Sequence, residues 1–121
     1  MSIKKVLVVD DTAAHLQQMK EIVSAAGYQV ITATSGREAV EKAKQEKPNM
    51  VFLDIVMDDL DGYGACREIT QDEETKDIPV VFVSTKNQRA DRLWAEKQGA
   101  KALLSKPVDS AEIINNLNTY L

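Results

Sequence analysis

The chain has 121 residues, 44% hydrophobic and 28% charged, which suits one folded domain burying roughly two thirds of its unfolded surface without disulfide or metal staples and excludes a disordered segment. A net charge of −4, from 15 basic and 19 acidic residues with no dense Lys/Arg block, disfavours direct nucleic-acid binding. A single cysteine, Cys66, forms no internal disulfide and makes the cytoplasm the default setting; Val6 to Val9 is too short for a signal peptide, and no stretch approaches the about 20 apolar residues of a bilayer span.

Lys5 to Asp10 is Val-rich without alternation, as in a strand covered by helices on both faces. Thr12 to Ala26 carries Leu16, Met19, Ile22, Val23 and Ala26 at helical spacing, with Gly27 as a left-handed stop. Tyr28 to Thr34 is the second strand. Ser35-Gly36-Arg37-Glu38 is a capping box, and the second helix that it opens buries Ala39, Val40 and Ala43 and stops before Pro48. Met50 to Ile55 is the third strand. An acidic loop to Asp61-Gly62 leads into a short helix with Tyr63, Cys66 and Ile69 inward. Asp72 to Asp77 is a solvated connection, and Ile78-Pro79 opens the fourth strand. Asn87 is the expected N-cap of a helix through Gln98, with Ala90, Leu93, Trp94 and Lys97 along one side and Gly99 as its stop. Ala100 to Ser105 is the fifth strand; Asp109 starts a last helix with Ile113, Ile114, Leu117 and Leu121 on its core side.

Strands alternating with helices, joined by right-handed crossovers, predict a doubly wound five-stranded parallel sheet of order 2-1-3-4-5, the flavodoxin-like three-layer α/β sandwich. One domain over residues 1–121 is expected, with no output domain. Four apolar runs end in polar residues: Val6 to Val9 in Asp10-Asp11, Met50 to Leu53 in Asp54, Val80 to Val83 in Ser84, and Ala102 to Leu104 in Ser105-Lys106-Pro107. In a parallel sheet these ends share one edge, where such folds place their sites.

Three carboxylates, Asp10, Asp11 and Asp54, then face one cation, Lys106. Like charges about 5 Å apart repel by roughly 3 kcal/mol per pair at an effective dielectric near 20. A hard divalent ion with oxygen ligands, Mg²⁺, suits that balance, whereas the absence of a His or Cys cluster disfavours zinc. A carboxylate beside Mg²⁺ and a lysine can act as a nucleophile toward phosphorus. Asp54, Mg²⁺, Lys106, and Ser84 or Thr85 would supply nucleophile, metal, cation and hydroxyl donor. The bland alternatives are that Asp11 caps the first helix and that Lys106 is a surface charge before a turn.

Taken together, Val8-Val9-Asp10-Asp11, Phe52-Leu53-Asp54-Ile55-Val56-Met57, Asp61-Gly62, Pro79 to Ser84, Gly99-Ala100 and Lys106-Pro107 resemble the receiver domain of two-component response regulators over essentially the whole chain. The resemblance implies that Asp54 accepts a phosphoryl group from a histidine kinase. It implies Mg²⁺ held by Asp11, Asp54 and the Val56 backbone carbonyl, with Asp10 acting mainly through water. Ser84 and Lys106 would contact the phosphoryl group, and Lys106-Pro107 would be cis. Output would pass to a protein partner through the face of the fourth helix, fifth strand and fifth helix, or the chain would drain phosphate from its kinase; a cytoplasmic monomer is expected. Ser84 to Gln88, Asp91 to Trp94 and Gln98 to Ala100 are similar to the stand-alone receivers of type IV pilus twitching-motility systems.

Two departures stand out: Asp58 where the family often has proline, and Leu103 where it usually carries an aromatic residue that turns inward on phosphorylation. Val56 and Lys86 take the two variable positions flanking the site. His15, the one histidine, reads as a surface or kinase-contact residue, and Trp94 as a partner anchor or as packing against the fifth strand. A phosphatase of the haloacid-dehalogenase type also uses Asp, Mg²⁺ and Lys, but Asp10-Asp11-Thr12 lacks its aspartate spacing. A scaffold that works without phosphorylation is the remaining alternative.

Overall fold

The computed structural model describes residues 3–121; Met1 and Ser2, at the head of the stretch weighed against a signal peptide, lie outside the described residues. Its elements are β1 (Lys5–Val9), α1 (Ala13–Ala25), β2 (Gln29–Ala33), α2 (Gly36–Glu46), β3 (Met50–Leu53), α3 (Gly62–Gln71), β4 (Val80–Ser84), α4 (Arg89–Lys97), β5 (Ala102–Ser105) and α5 (Ser110–Tyr120). The five strands pair in parallel in the order β2-β1-β3-β4-β5, as the βα alternation requires.

Successive strand residues point to opposite faces, and the core divides accordingly. Leu7, Val9, Val51, Leu53 and Phe82 pack on Ala39, Val40, Ala43, Cys66 and Ile69 of α2 and α3. Val6, Val8, Met50, Phe52, Val81 and Val83 pack on Met19, Val23, Ile113 and Leu117 of α1 and α5. Strands buried on both sides explain why their sequences carry no polar alternation.

The ladder runs past the strand ends. Asp54 N donates to Val9 O at 3.1 Å, Asp10 N to Ala33 O at 3.2 Å and Lys106 N to Ser84 O at 3.1 Å. These bonds fix the backbones of Asp10, Asp54 and Lys106 along one sheet edge. Lys106–Pro107 is cis, and Gly27 and Gly99 take positive φ just past α1 and α4.

Several local expectations need correction. The cap of α4 is Gln88 rather than Asn87, whose side chain donates to Ser84 O at 3.2 Å. The side of α4 bearing Ala90, Leu93, Trp94 and Lys97 faces outward, and Asp91, Ala95 and Gln98 are the buried residues. The reason lies in Asp91, whose carboxylate accepts from the Gln88 amide at 3.0 Å, from Tyr63 OH at 3.3 Å and from Lys86 Nζ at 3.0 Å. Those partners roll the helix so that a carboxylate points inward and the larger apolar residues point out. Trp94 packs edge-to-face on Tyr63 of α3, ring centroids 6.4 Å apart, not on the fifth strand. Ile114 of α5 and Ala26 at the end of α1 are likewise exposed. In the α2 box Ser35 accepts from Glu38 N at 3.1 Å, but Glu38 reaches back to Thr34 N at 2.7 Å, one residue before the cap.

Candidate functional site

Asp54 leaves β3 with its carboxylate nearly buried. Oδ1 accepts from its neighbours' amides, Ile55 N at 2.6 Å and Val56 N at 3.4 Å, and Oδ2 accepts from Lys106 Nζ at 2.9 Å. Asp10 is held in the same manner, Oδ1 on Thr12 N at 2.9 Å and Oδ2 on Lys106 Nζ at 2.7 Å. Asp11 follows it on the exposed side. One oxygen from each of Asp10, Asp11 and Asp54 lies within 4.8 Å of the others.

Lys106 is no surface charge: its side chain is 7% exposed. Burial works against its ammonium, but the hydrogen bonds to Asp10 and Asp54 and their negative charges outweigh it and hold the pKa above the ordinary lysine range. The cluster still carries three carboxylates against one lysine, so it favours a further cation. Its donors are all oxygen and hard, which fits Mg²⁺.

The remaining expected residues occupy the same edge in other roles. Ser84 is fully buried at the end of β4, and its Oγ accepts from Lys86 N at 3.1 Å. Thr85 is exposed. Val56, 58% exposed, stands in the loop after Asp54. Lys86 is drawn toward α4 by its ion pair with Asp91. Leu103 lies inside the core, and its carbonyl accepts from Arg92 Nη1 at 2.8 Å.

Two residues join the site that local sequence patterns did not place there. His15 Nδ1 lies 2.9 Å from Lys106 Nζ, so this half-exposed surface histidine is also a neighbour of the site lysine. Asp59 accepts from Gly36 N at 3.1 Å and Arg37 N at 3.2 Å, clamping the β3–α3 loop to the N-terminus of α2. A Cβ at Gly36 would overlap the Leu60 carbonyl oxygen, and one at Gly62 would overlap that of Asp54; only glycine permits these two close approaches. With Gly62 N on Ile55 O at 2.8 Å and Asp61 capping Gly64 N at 2.8 Å, the loop carrying Val56 is tied at several points without a proline at position 58. The spacing of a helix start and a distant loop aspartate carries no signal for the Asp59 clamp.

A family model described as the response regulator receiver domain matches residues 6–118. The chain belongs to the response regulator receiver domain family. This receiver is 40% identical over 117 residues to Protein PilH of Pseudomonas aeruginosa, covering 97% of each chain. It is also 40% identical over 116 residues to the chemotaxis protein CheY of Thermotoga maritima, covering 95% of each. Among solved structures, the receiver domain of a sensor histidine kinase from Pseudomonas aeruginosa, with a magnesium ion coordinated in its active site cleft, superposes with a TM-score of 0.90 at 25% identity, covering 98% of each chain. The receiver is thus a component of phosphorelay signalling, not a metabolic enzyme. No helix among the described residues is long and apolar enough to cross a membrane.

Proposed function

We propose that Asp54 of this receiver accepts a phosphoryl group from a histidine kinase and that the resulting charge switches a protein partner on or off. The supporting observation is the convergence of Asp54, Asp10 and Asp11 on Lys106 in a pocket where the lysine is already committed to Asp54 at 2.9 Å. An Asp54 carboxylate oxygen attacks phosphorus, the phosphorus–nitrogen bond of the donor's phosphohistidine breaks, and its electron pair stays on the leaving imidazole. The outcome is an aspartyl phosphate. Asp11, Asp54 and the Val56 carbonyl would hold Mg²⁺, with Asp10 acting through water, and the ion would supply positive charge where negative charge gathers. Lys106 exchanges its bond to Asp54 for one to a phosphoryl oxygen. Ser84 releases the Lys86 amide and donates to another.

Phosphorylation adds about −1.5 to −2 charge and three acceptor oxygens. A shift of Ser84 is transmitted through the Lys86 amide to the Lys86–Asp91 pair and so to α4. The face of α4, β5 and α5 carries an open groove lined by Arg92, Glu96, Lys101, Leu103 and Glu112, and that face is the proposed output surface. The likeness to PilH and to the chemotaxis protein CheY, over 95% or more of each relative's length, supports a stand-alone signalling role, for which we propose the cytoplasm and type IV pilus twitching motility or chemotaxis.

The test is intact mass after incubation with Mg²⁺ and acetyl phosphate, for the native chain and Asp54→Asn side by side. One added phosphoryl group in the native chain alone, lost with EDTA in the reaction, is expected. No gain in the native chain would overturn the reading in favour of a scaffold that works without phosphorylation.

A further inference from the structure

Lysine ammonium has three donors and no acceptor, and the donors of Lys106 have three partners. They are Asp10 Oδ2 at 2.7 Å, Asp54 Oδ2 at 2.9 Å and His15 Nδ1 at 2.9 Å. Because the lysine only donates, the histidine nitrogen accepts, which makes the ring neutral with its proton on Nε2. His15 projects from the first turn of α1, whereas Lys106 arrives from the end of β5. Their bond joins the first turn of α1 to the loop that follows β5. The ring is 45% exposed and lies 3.9 Å from Asp10 Oδ2, so among the described residues its one polar partner within hydrogen-bond distance is the ammonium.

We propose that His15 is a positioning residue for phosphoryl transfer, its Nδ1 tethering the Lys106 ammonium while that ammonium trades Asp54 for the incoming phosphoryl oxygens. The inference rests on the reading of Asp54 as phosphoacceptor and goes beyond it by giving a role to a residue outside the carboxylate cluster. During the exchange the lysine gives up one of its three partners. Asp10 and His15 hold the other two N–H groups, and the third is left aimed at the position the phosphoryl group enters. Without the imidazole, one donor turns to water and the ammonium samples more orientations. Misplacing a charged donor by a fraction of an ångström is costly to transfer. Losing one hydrogen bond to a charged group at a half-exposed site is expected to slow phosphorylation roughly 3- to 10-fold.

His15 is also exposed enough to touch a kinase, and a small donor separates the two roles. Rates of phosphorylation by acetyl phosphate and Mg²⁺, followed by intact mass, compare the native chain with His15→Leu and His15→Asn. Leucine keeps bulk and excludes water but accepts nothing. Asparagine returns an acceptor near the position of Nδ1. The expected result is a several-fold slower His15→Leu chain and a His15→Asn chain near the native rate. Equal rates for native and His15→Leu, or no rescue by asparagine, would overturn the inference while leaving Asp54 in place. A native chain that takes up no phosphoryl group would overturn both. A second readout needs no phosphate: as the one histidine in the chain, His15 is unambiguous in long-range ¹H–¹⁵N spectra. With the ring neutral, the native chain should show the Nε2–H tautomer, and Lys106→Met should shift Nδ1 and lose that bias. An unchanged ring signature in Lys106→Met contradicts the tether.

Discussion

Lys106 Nζ stands 2.9 Å from Asp54 Oδ2 and 2.7 Å from Asp10 Oδ2 and joins the two buried carboxylates in a single ionic cluster. Removing one member of a buried ionic group leaves the others uncompensated, at a cost of about 3–5 kcal/mol. Lys106→Met should therefore unfold at clearly lower urea concentration in EDTA, and added Mg²⁺ should restore part of the loss. An unchanged urea midpoint in EDTA would show that the carboxylates do not depend on this cation.

Asp11 is the exposed member of the cluster and adds a third negative charge. Asp11→Asn relieves like-charge repulsion, so the metal-free variant should be more stable than the native chain by up to about 1 kcal/mol. The same change should weaken Mg²⁺ binding, visible as a smaller rise in melting temperature on titrating Mg²⁺. Stability and metal affinity moving in the same direction would contradict this account.

Asp59 clamps the Val56-bearing loop onto α2. The Leu60 amide, then those of Arg37 and Gly36, hold its carboxyl below the usual carboxylate range. A depressed folded pKa contributes stability that is present above the ordinary value of 3.8 and is lost as pH falls through the folded value. Asp59→Ala should lower the melting temperature at neutral pH, flatten the acid limb of the stability curve and weaken Mg²⁺ binding by loosening Val56. Native-like Mg²⁺ affinity in the variant would mean that the loop is positioned without the clamp.

Alkaline pH should destabilise the fold through two buried acids. Burial pushes the Cys66 thiol up to about 12 from 9.0. Burial first, then the charge of Asp91, pushes the Tyr63 phenol to about 12 from 10.0. In both cases the folded state keeps a proton that the unfolded chain gives up. Their stability is complete below the unfolded values and is lost as pH rises through about 12. Cys66→Ala should flatten the decline of urea midpoint with pH above about 9, and Tyr63→Phe should flatten it above about 10, each the unfolded value of its group. Alkylation of Cys66 by iodoacetamide at mildly alkaline pH should be negligible until denaturant is added.

Most of the fold was legible along the chain because each βα unit signals itself locally. Apolar runs without alternation marked buried strands, and Gly27, Gly99, Ser35 and Asp109 marked helix ends. Once those strands are parallel, Asp10, Asp54, Ser84 and Lys106 must share an edge, since Ser84 ends its strand and the other three directly follow theirs. Helix α4 misled the periodicity argument because its inner face is polar. Asp91 is buried by partners on α3 and in the preceding loop, and no count of apolar spacing registers a buried carboxylate.

The sequence by itself determined the element order, the sheet edge and the carboxylates that meet there, since backbone pairing and burial of β-branched runs are local preferences repeated five times. Only the tertiary structure decided what those groups touch. His15 reaches Lys106 across 91 positions, and Asp59 reaches Gly36 across 23. Such contacts depend on where one helix settles against another element, and a shift of one ångström there makes or breaks a hydrogen bond without altering the hydrophobic pattern that selected the fold.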